Sequence, residues 1–421
     1  MPDLGLNARV IAALPISALL DEMRRCGATE SGIQRMLTKA EAIAVAMENV
    51  GRRQANLLKQ EMLAAGGDVA VSHGVCSEEV AVTGVVLMGT RRQFESLLAR
   101  LAVADAPKPP WRRREEPFDL PALAGELRAA LDACSRRHFE IRMRDRLLAV
   151  GPKPAIVGIV NVTPDSFSDG GQFGTPEEAI AHGRQLALEG ADVLDVGGES
   201  TRPGSDPVST EEELRRAIPV VEGLAGSVQV PISIDTRHAR VAREAVAAGA
   251  CIINDVTGLR GDPDMARTAA ETGAGIVLMH MLGEPRSMQD SPRYDNLMAD
   301  ICRFLRSAIR AARQAGVPDD AIIIDPGIGF GKTLGHNLAI LARLGELRTL
   351  GRPIMVGPSR KRFIGLLTGI ETPAERICGT AAACAMAVAG GAVLLRVHDV
   401  RQMRQALAVA AAVAGAAESV S

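Results

Sequence analysis

Residues 155–397 contain eight short apolar runs, and each gives way to polar side chains. Asn161 follows AIVGIV, Glu199 to Arg202 follow DVLDV, Asp235 follows PISI, and Asn254 and Asp255 follow CII. His280 follows GIVLM, Asp325 closes AIIID, Ser359 to Lys361 follow PIMV, and Arg396 lies at the end of AVLLRV with His398 just after it. One or two such endings mean only that a strand must stop somewhere polar. The same ending after all eight marks a place where polar groups converge. Asp235, Asn254, Asp325 and Lys361 combine acceptors, an amide that donates and accepts, and a cation. That set suits a flat heterocycle with amino and oxo groups, because an ionised carboxylate only accepts and a lysine only donates. Such groups are tolerated in an interior only when a neighbour or a ligand satisfies them. Asn161 offers an oxygen to a hard metal ion, and Arg396 and His398 offer donors to phosphate oxygens.

The spacing of the runs says what holds these residues. Helix-like segments such as PEEAIAHGRQLALEG and NLMADICRFLRSAIRAARQAG lie between them. Thr175–Pro176–Glu177–Glu178 predicts a helix start, with Thr175 as N-cap and Pro176 in the first helical position. Eight near-continuously apolar strands alternating with helices predict an α/β fold, a (β/α)8 TIM barrel. The alternative, a doubly wound open sheet, has no need of eight evenly spaced buried strands. In such a barrel the active site lies at the C-terminal strand ends, where the polar residues stand.

The chain has 421 residues, a formal charge of −2 and 47% hydrophobic residues, too long for one small domain. Three segments are expected: a small α+β N-terminal domain (1–102), a linker and helix (103–153), and the barrel (154–421). The balanced charge gives no case for nucleic acid or an anionic membrane surface. Seven scattered cysteines fit reduced thiols and a cytoplasmic protein. Residues 379–395 are apolar but read as a buried helix and strand, so no membrane span is expected. His73 and Cys76, a lone pair in a loop, are read as loop residues.

Taken in order, NVTPDSFSDGG (161–171), GGESTRPGS (197–205), SIDT (233–236), INDVTG (253–258), LMHM (278–281), DPGIGFGKT (325–333), GPSRKRFIG (357–365) and RVHDV (396–400) resemble the dihydropteroate synthases of folate biosynthesis. The resemblance implies condensation of a dihydropterin pyrophosphate with 4-aminobenzoate, pyrophosphate release, Mg²⁺ and a homodimer. It implies that Asp235, Asn254, Asp325 and Lys361 bind the pterin, with Met279 lining its pocket. Arg396 would stack on the ring and face the pyrophosphate, beside His398, and Asn161 would bind the metal. Thr201, Arg202, Pro203, Ser359 and Phe330 would form the aminobenzoate side. The polar stretch 162–171 would be a loop that closes over substrate, with Phe167 packed on the aminobenzoate ring and Asp169 ordering the closed site.

Several features have plainer readings. GIGFGKT (327–333) lacks the first glycine of a phosphate loop, since Pro326 stands there, and reads as a strand-end turn. His280 reads as a packed barrel histidine, and Asp255 equally as a backbone-bonding residue. The competing functions are a pterin-dependent methyltransferase on the same barrel and a non-catalytic pterin-binding protein. The first has no need of STRP, SRK and RVH, and the second would be expected to have lost Lys361, Arg396 or the 161–171 stretch, all of which are present.

Overall fold

The computed structural model describes residues 16–75, 77, 79–104, 120–162, 175–200, 208–283 and 288–416. They fall into two units, residues 1–131 with 415–421, and residues 132–414. In the first unit α1 (Ile16–Arg25) and α2 (Glu30–Leu37) precede β1 (Ala42–Gly51), α3 (Arg52–Ala64), β2 (Asp68–Val71), β3 (Val82–Thr90) and α4 (Arg91–Ala104). The three strands form an antiparallel sheet in the order β1-β3-β2. Leu58 and Met62 of α3, Phe94 and Leu97 of α4 and Leu87 of β3 form its core. Each helix gives the sheet one apolar stripe, as an amphipathic helix must. The helix α5 (Leu120–Ser135) adds Leu127 to that core and runs across the boundary between the units.

The second unit starts with a hairpin, β4 (Phe139–Met143) and β5 (Arg146–Val150). Eight parallel strands follow: β6 (Ala155–Asn161), β7 (Val193–Gly197), β8 (Ile232–Asp235), β9 (Ile252–Asp255), β10 (Gly275–Met279), β11 (Ile322–Asp325), β12 (Met355–Val356) and β13 (Leu394–Val397). Between them run α6 (Pro176–Glu189), α7 (Thr210–Ala225), α8 (Ala239–Ala247), α9 (Met265–Thr272), α10 (Leu297–Gln314), α11 (Leu334–Ala342), α12 (Arg362–Thr368) and α13 (Ile377–Ala389), and α14 (Val400–Ala416) follows β13. The sheet order is β11-β10-β9-β8-β7-β6-β13-β12, and a parallel bridge between Ile324 and Ile354 joins its two ends. The sheet therefore closes into the expected (β/α)8 barrel rather than an open doubly wound sheet.

Local chemistry explains the boundaries. Thr175 caps α6 by accepting from the Glu178 amide at 3.3 Å, and Glu178 returns a bond to the Thr175 amide at 3.3 Å. The run PIMV yields only two strand residues because Pro353 has no N–H to give its neighbour. Its carbonyl still accepts from the Ile324 amide at 3.0 Å.

The hairpin lies inside the stretch read as linker and helix. Its runs FEIRM and RLLAV carry an alternating pattern that interspersed charges disguise. Ile141, Met143 and Val150 pack with Val157, Val193, Ile252, Val277, Ile323 and Leu394. Those residues lie low in the barrel, so the hairpin closes its floor and leaves the C-terminal mouth as the face for a ligand. Among the described residues, no helix is long and apolar enough to cross a membrane.

Candidate active site

Strand register builds the site. Asn161 pairs with Gly197, Gly197 with Asp235, and Asp235 with Asn254, so four neighbouring strands put these positions on one level. Side chains two residues apart share a face of a strand. Asp195 therefore stands directly below Gly197 on the inner face, while Leu194 and Val196 join the core beneath the helices. Arg396 pairs with Val157, low on β6, and reaches upward.

It lands between two carboxylates. Arg396 Nε donates to Asp195 Oδ2 at 2.6 Å, and Nη2 donates to Asp235 Oδ2 at 2.7 Å. Asp195 Oδ2 also accepts from Asn254 Nδ2 at 3.0 Å. The carboxylates are nearly inaccessible, Asp195 at 1% and Asp235 at 6% exposure, so without the guanidinium they would be strongly unfavourable there. Burial nevertheless pushes the Asp235 carboxyl up to about 7; Arg396 opposes the rise and Asp195 adds to it. Asp195 Oδ1 and Asp235 Oδ1 are buried and have no hydrogen-bond partner among the described residues. At Asp235, on the level of Asn161 and Asn254, an unpaired buried acceptor calls for a donor from a ligand.

On the opposite side Asp325 pairs in register with Met279, which lines the interior with Val256, Met281 and Met288. Burial raises Asp325 to about 6, against the Gly327 amide, which donates to its Oδ1 at 2.6 Å, and against Lys361. The turn that brings this amide round needs glycine. Gly327 has φ +68, and a Cβ there would lie 2.0 Å from the His280 carbonyl oxygen. Gly327→Ala is expected to destabilise the protein by about 3 kcal/mol or more, since backbone strain and a backbone clash add. Urea unfolding will read it, and an unchanged midpoint would contradict this account of the turn. Lys361 Nζ lies 4.1 Å from the centre of the Phe330 ring, a cation–π contact that sets both groups beside Asp325.

Sequence reasoning missed two buried groups here, Asp195 and Lys332. Lys332 donates to the Phe330 carbonyl at 2.9 Å and lies 3.0 Å from His280 Nδ1. Burial lowers it to about 7. His280 is driven down to about 2, by burial first and Lys332 second, so its neutral ring accepts the ammonium's bond. Its ring sits edge-on to Phe304 at 4.8 Å, as a packed barrel histidine would. Asp255 accepts from the Thr257 and Leu259 amides at 2.8 and 2.7 Å and so serves the backbone.

At the rim Ser359 Oγ lies 3.0 Å from His398 Nδ1, and Arg360 grips Asp399 through two bonds at 3.0 and 2.6 Å. Glu199 accepts two bonds from Arg237 at 3.0 and 2.8 Å and one from the Val208 amide at 3.1 Å. It thereby ties together the residues flanking 201–207. Glu199, Glu213 and His238 are close enough to hold an ion, but Arg237 already occupies Glu199 and His238 Nδ1 lies 2.7 Å from Glu213, an ion-pair network. Phe167, Asp169, Thr201, Arg202 and Pro203, like Cys76, lie outside the described residues.

The structure thus gathers Asp235, Asn254, Asp325, Met279, Phe330, Lys361, Ser359, Arg396 and His398 at one mouth, with Asn161 on its edge. The sequence profile of the pterin binding enzymes matches residues 157–398, the segment that carries this mouth. The chain belongs to the pterin binding enzyme family. Within it, the chain is 46% identical over 260 residues to a dihydropteroate synthase of Synechocystis sp., covering 62% of this chain and 90% of that protein. It is 39% identical over 397 residues to a probable bifunctional folylpolyglutamate synthase/dihydropteroate synthase of Halobacterium salinarum, covering 93% of this chain and 45% of that longer protein. Among solved structures of the family, Xanthomonas albilineans dihydropteroate synthase with 4-aminobenzoic acid superposes with a TM-score of 0.61 at 49% identity, over 67% of this chain and all of that one.

Proposed function

We propose that this chain condenses 6-hydroxymethyl-7,8-dihydropterin pyrophosphate with 4-aminobenzoate, giving 7,8-dihydropteroate and pyrophosphate. One observation carries the reading. The buried acceptors Asp235, Asn254 and Asp325 face a mouth that also holds Lys361 and Arg396, on a barrel nearly half identical to dihydropteroate synthases. In this reading the carboxylates accept the N–H groups of the pterin, Lys361 donates to its oxo edge, and Met279 packs on its face. Arg396 lies along the ring and, with His398, meets the pyrophosphate oxygens. The amine of 4-aminobenzoate attacks the exocyclic methylene carbon, the carbon–oxygen bond to pyrophosphate breaks, and the amine gives up a proton. Ser359 and Phe330 line the aminobenzoate side with Thr201, Arg202 and Pro203, and Phe167 and Asp169 complete the closed site.

Mg²⁺ belongs to this reading. Asn161, half-buried at the open end of β6, offers the single neutral oxygen that suits a magnesium ion retaining waters and phosphate ligands. When bound, the ion would neutralise charge on the departing pyrophosphate. In this reading Arg396 of β13 and His398 just past its end would supply donors to the same phosphate oxygens, on the strand next to β6. The homodimer in this reading uses the small-residue faces of α13 and α14, where Met386, Val409 and Val413 are each more than half exposed. The compartment in this reading is the cytoplasm, in keeping with cysteines at 26, 134, 251, 302, 378 and 384 that form no disulfide among the described residues.

Purified protein should release pyrophosphate only when both substrates and Mg²⁺ are present. Pterin binding without release would overturn the reading.

The raised carboxyls add a pH signature. As acceptors, Asp235 and Asp325 must be ionised, so pterin affinity should fall as pH drops through about 7 and about 6. Stability of the empty protein should move the other way. Both groups sit above their ordinary value of 3.8, so the folded chain holds protons that the unfolded chain releases. Their contribution is full below that value and is lost as pH rises through 6 to 7. Calorimetric titration with the dihydropterin and thermal melts from pH 5 to 8 will show the opposed trends. Affinity that stays flat over that range would remove both carboxyls from the pterin set.

A further inference from the structure

We propose that Asp195 is a positioning residue for the heterocycle: its Oδ2 holds Arg396 and the Asn254 amide in the orientations that the substrate meets. The inference deepens the proposed function and rests on that reading of the pocket. Asp195 sits in mid-strand on β7, within an otherwise apolar run, and is 1% exposed. A buried carboxyl at such a place costs stability unless the fold uses it.

Two geometric consequences follow from its bonds. A guanidinium held by one bond can still rotate about it. Arg396 gives Nε to Asp195 and Nη2 to Asp235, on adjacent strands, and two bonds from different nitrogens fix the plane of the group. The second consequence concerns Asn254. Its amide could face Asp195 with either end, but an oxygen at 3.0 Å from Asp195 Oδ2 would set acceptor against acceptor. Nδ2 must therefore point to Asp195, which turns Oδ1 away and leaves it as the atom offered to a ligand. Asp195 thus decides which half of Asn254 the heterocycle reads. Its other oxygen, Oδ1, has no partner among the described residues, so the group is not consumed by packing.

The test compares the parent with Asp195→Asn and Asp195→Ala. Binding of 6-hydroxymethyl-7,8-dihydropterin is measured by calorimetry, and KM is measured for both substrates. Asn keeps an acceptor oxygen and loses the charge, and Ala loses both. Affinity for the dihydropterin should fall on the order of 10-fold in the Asn variant and 100-fold in the Ala variant. The KM for 4-aminobenzoate should stay within about twofold of the parent, because Asp195 acts only through groups that meet the pterin. A folded Asn variant that binds the dihydropterin like the parent would overturn the proposal. So would an equal rise in both KM values, which would make Asp195 a general packing residue. Should the Ala variant fail to fold, the near-isosteric Asn variant decides alone. Should the parent bind the dihydropterin without releasing pyrophosphate, the proposed function falls, and the affinity ratios still judge Asp195.

Discussion

Arg396→Ala is expected to lower the unfolding free energy by about 3–5 kcal/mol and to abolish turnover. The size of the stability loss comes from what is left behind. Asp195 and Asp235 share this guanidinium, and both are nearly inaccessible to solvent. Removing it leaves two neighbouring acidic groups in the barrel interior with no cation between them. Asp235 will respond by holding a proton to higher pH, since Arg396 is the main influence opposing burial there. Arg396→Lys should recover only part of the loss, because an ammonium cannot place two N–H groups in one fixed plane. Denaturant unfolding at pH 8 reads the effect most cleanly. A loss below about 1 kcal/mol, the scale of an exposed pair, would show that solvent reaches the cluster.

Lys361→Ala should separate chemistry from stability. Turnover per unit substrate is expected to fall on the order of 10²–10³-fold, the effect of removing one preorganised charge from a reacting site. Stability should change far less, by about 1 kcal/mol, the scale of one cation–π contact such as that with the Phe330 ring. Initial rates of pyrophosphate release, set beside a melt of the same preparation, will show both. A variant that retains its rate removes Lys361 from the pterin set. Arginine should not restore the rate, since its fork does not fit where a point charge sits 4.1 Å from the ring centre.

The barrel is legible in sequence because a strand buried on both faces reads as an unbroken apolar run. AIIID becomes Ile322–Asp325 and GIVLM becomes Gly275–Met279 almost residue for residue. The rule that polar residues at strand ends mark the mouth also leads to Asp235, Asn254 and Asp325. It passes over Asp195, because that residue lies one step inside DVLDV and looks like part of the run. The usable signal was the period of two: Val193, Asp195 and Gly197 share a face, and an acid on the inner face of a barrel strand needs a partner. Lys332 is hidden for another reason. In GIGFGKT it reads as a turn residue, and only the fold shows its ammonium reaching back to His280, just past the end of β10. The hairpin β4–β5 escapes because its exposed positions carry arginine and glutamate that mask a short alternation. Among its described residues the N-terminal unit has no strand-end cluster of this kind, although the match to the Halobacterium salinarum protein runs through most of it.

The short strand β12 has a dynamic consequence. It pairs with β13 through Met355 and Val356 only, and its connection to β11 is the single bridge at Ile324 and Ile354. Every other joint in the barrel is a ladder of three or more pairs. Amide exchange through local opening should therefore be fastest along this seam. The seam runs between the strand that ends in Asp325 and the segment that leads to Lys361. The distance between those two groups is thus the dimension of the pocket that can breathe without unzipping a ladder. Pro353, a backbone unit with no proton to give, sets how loosely that edge is stitched.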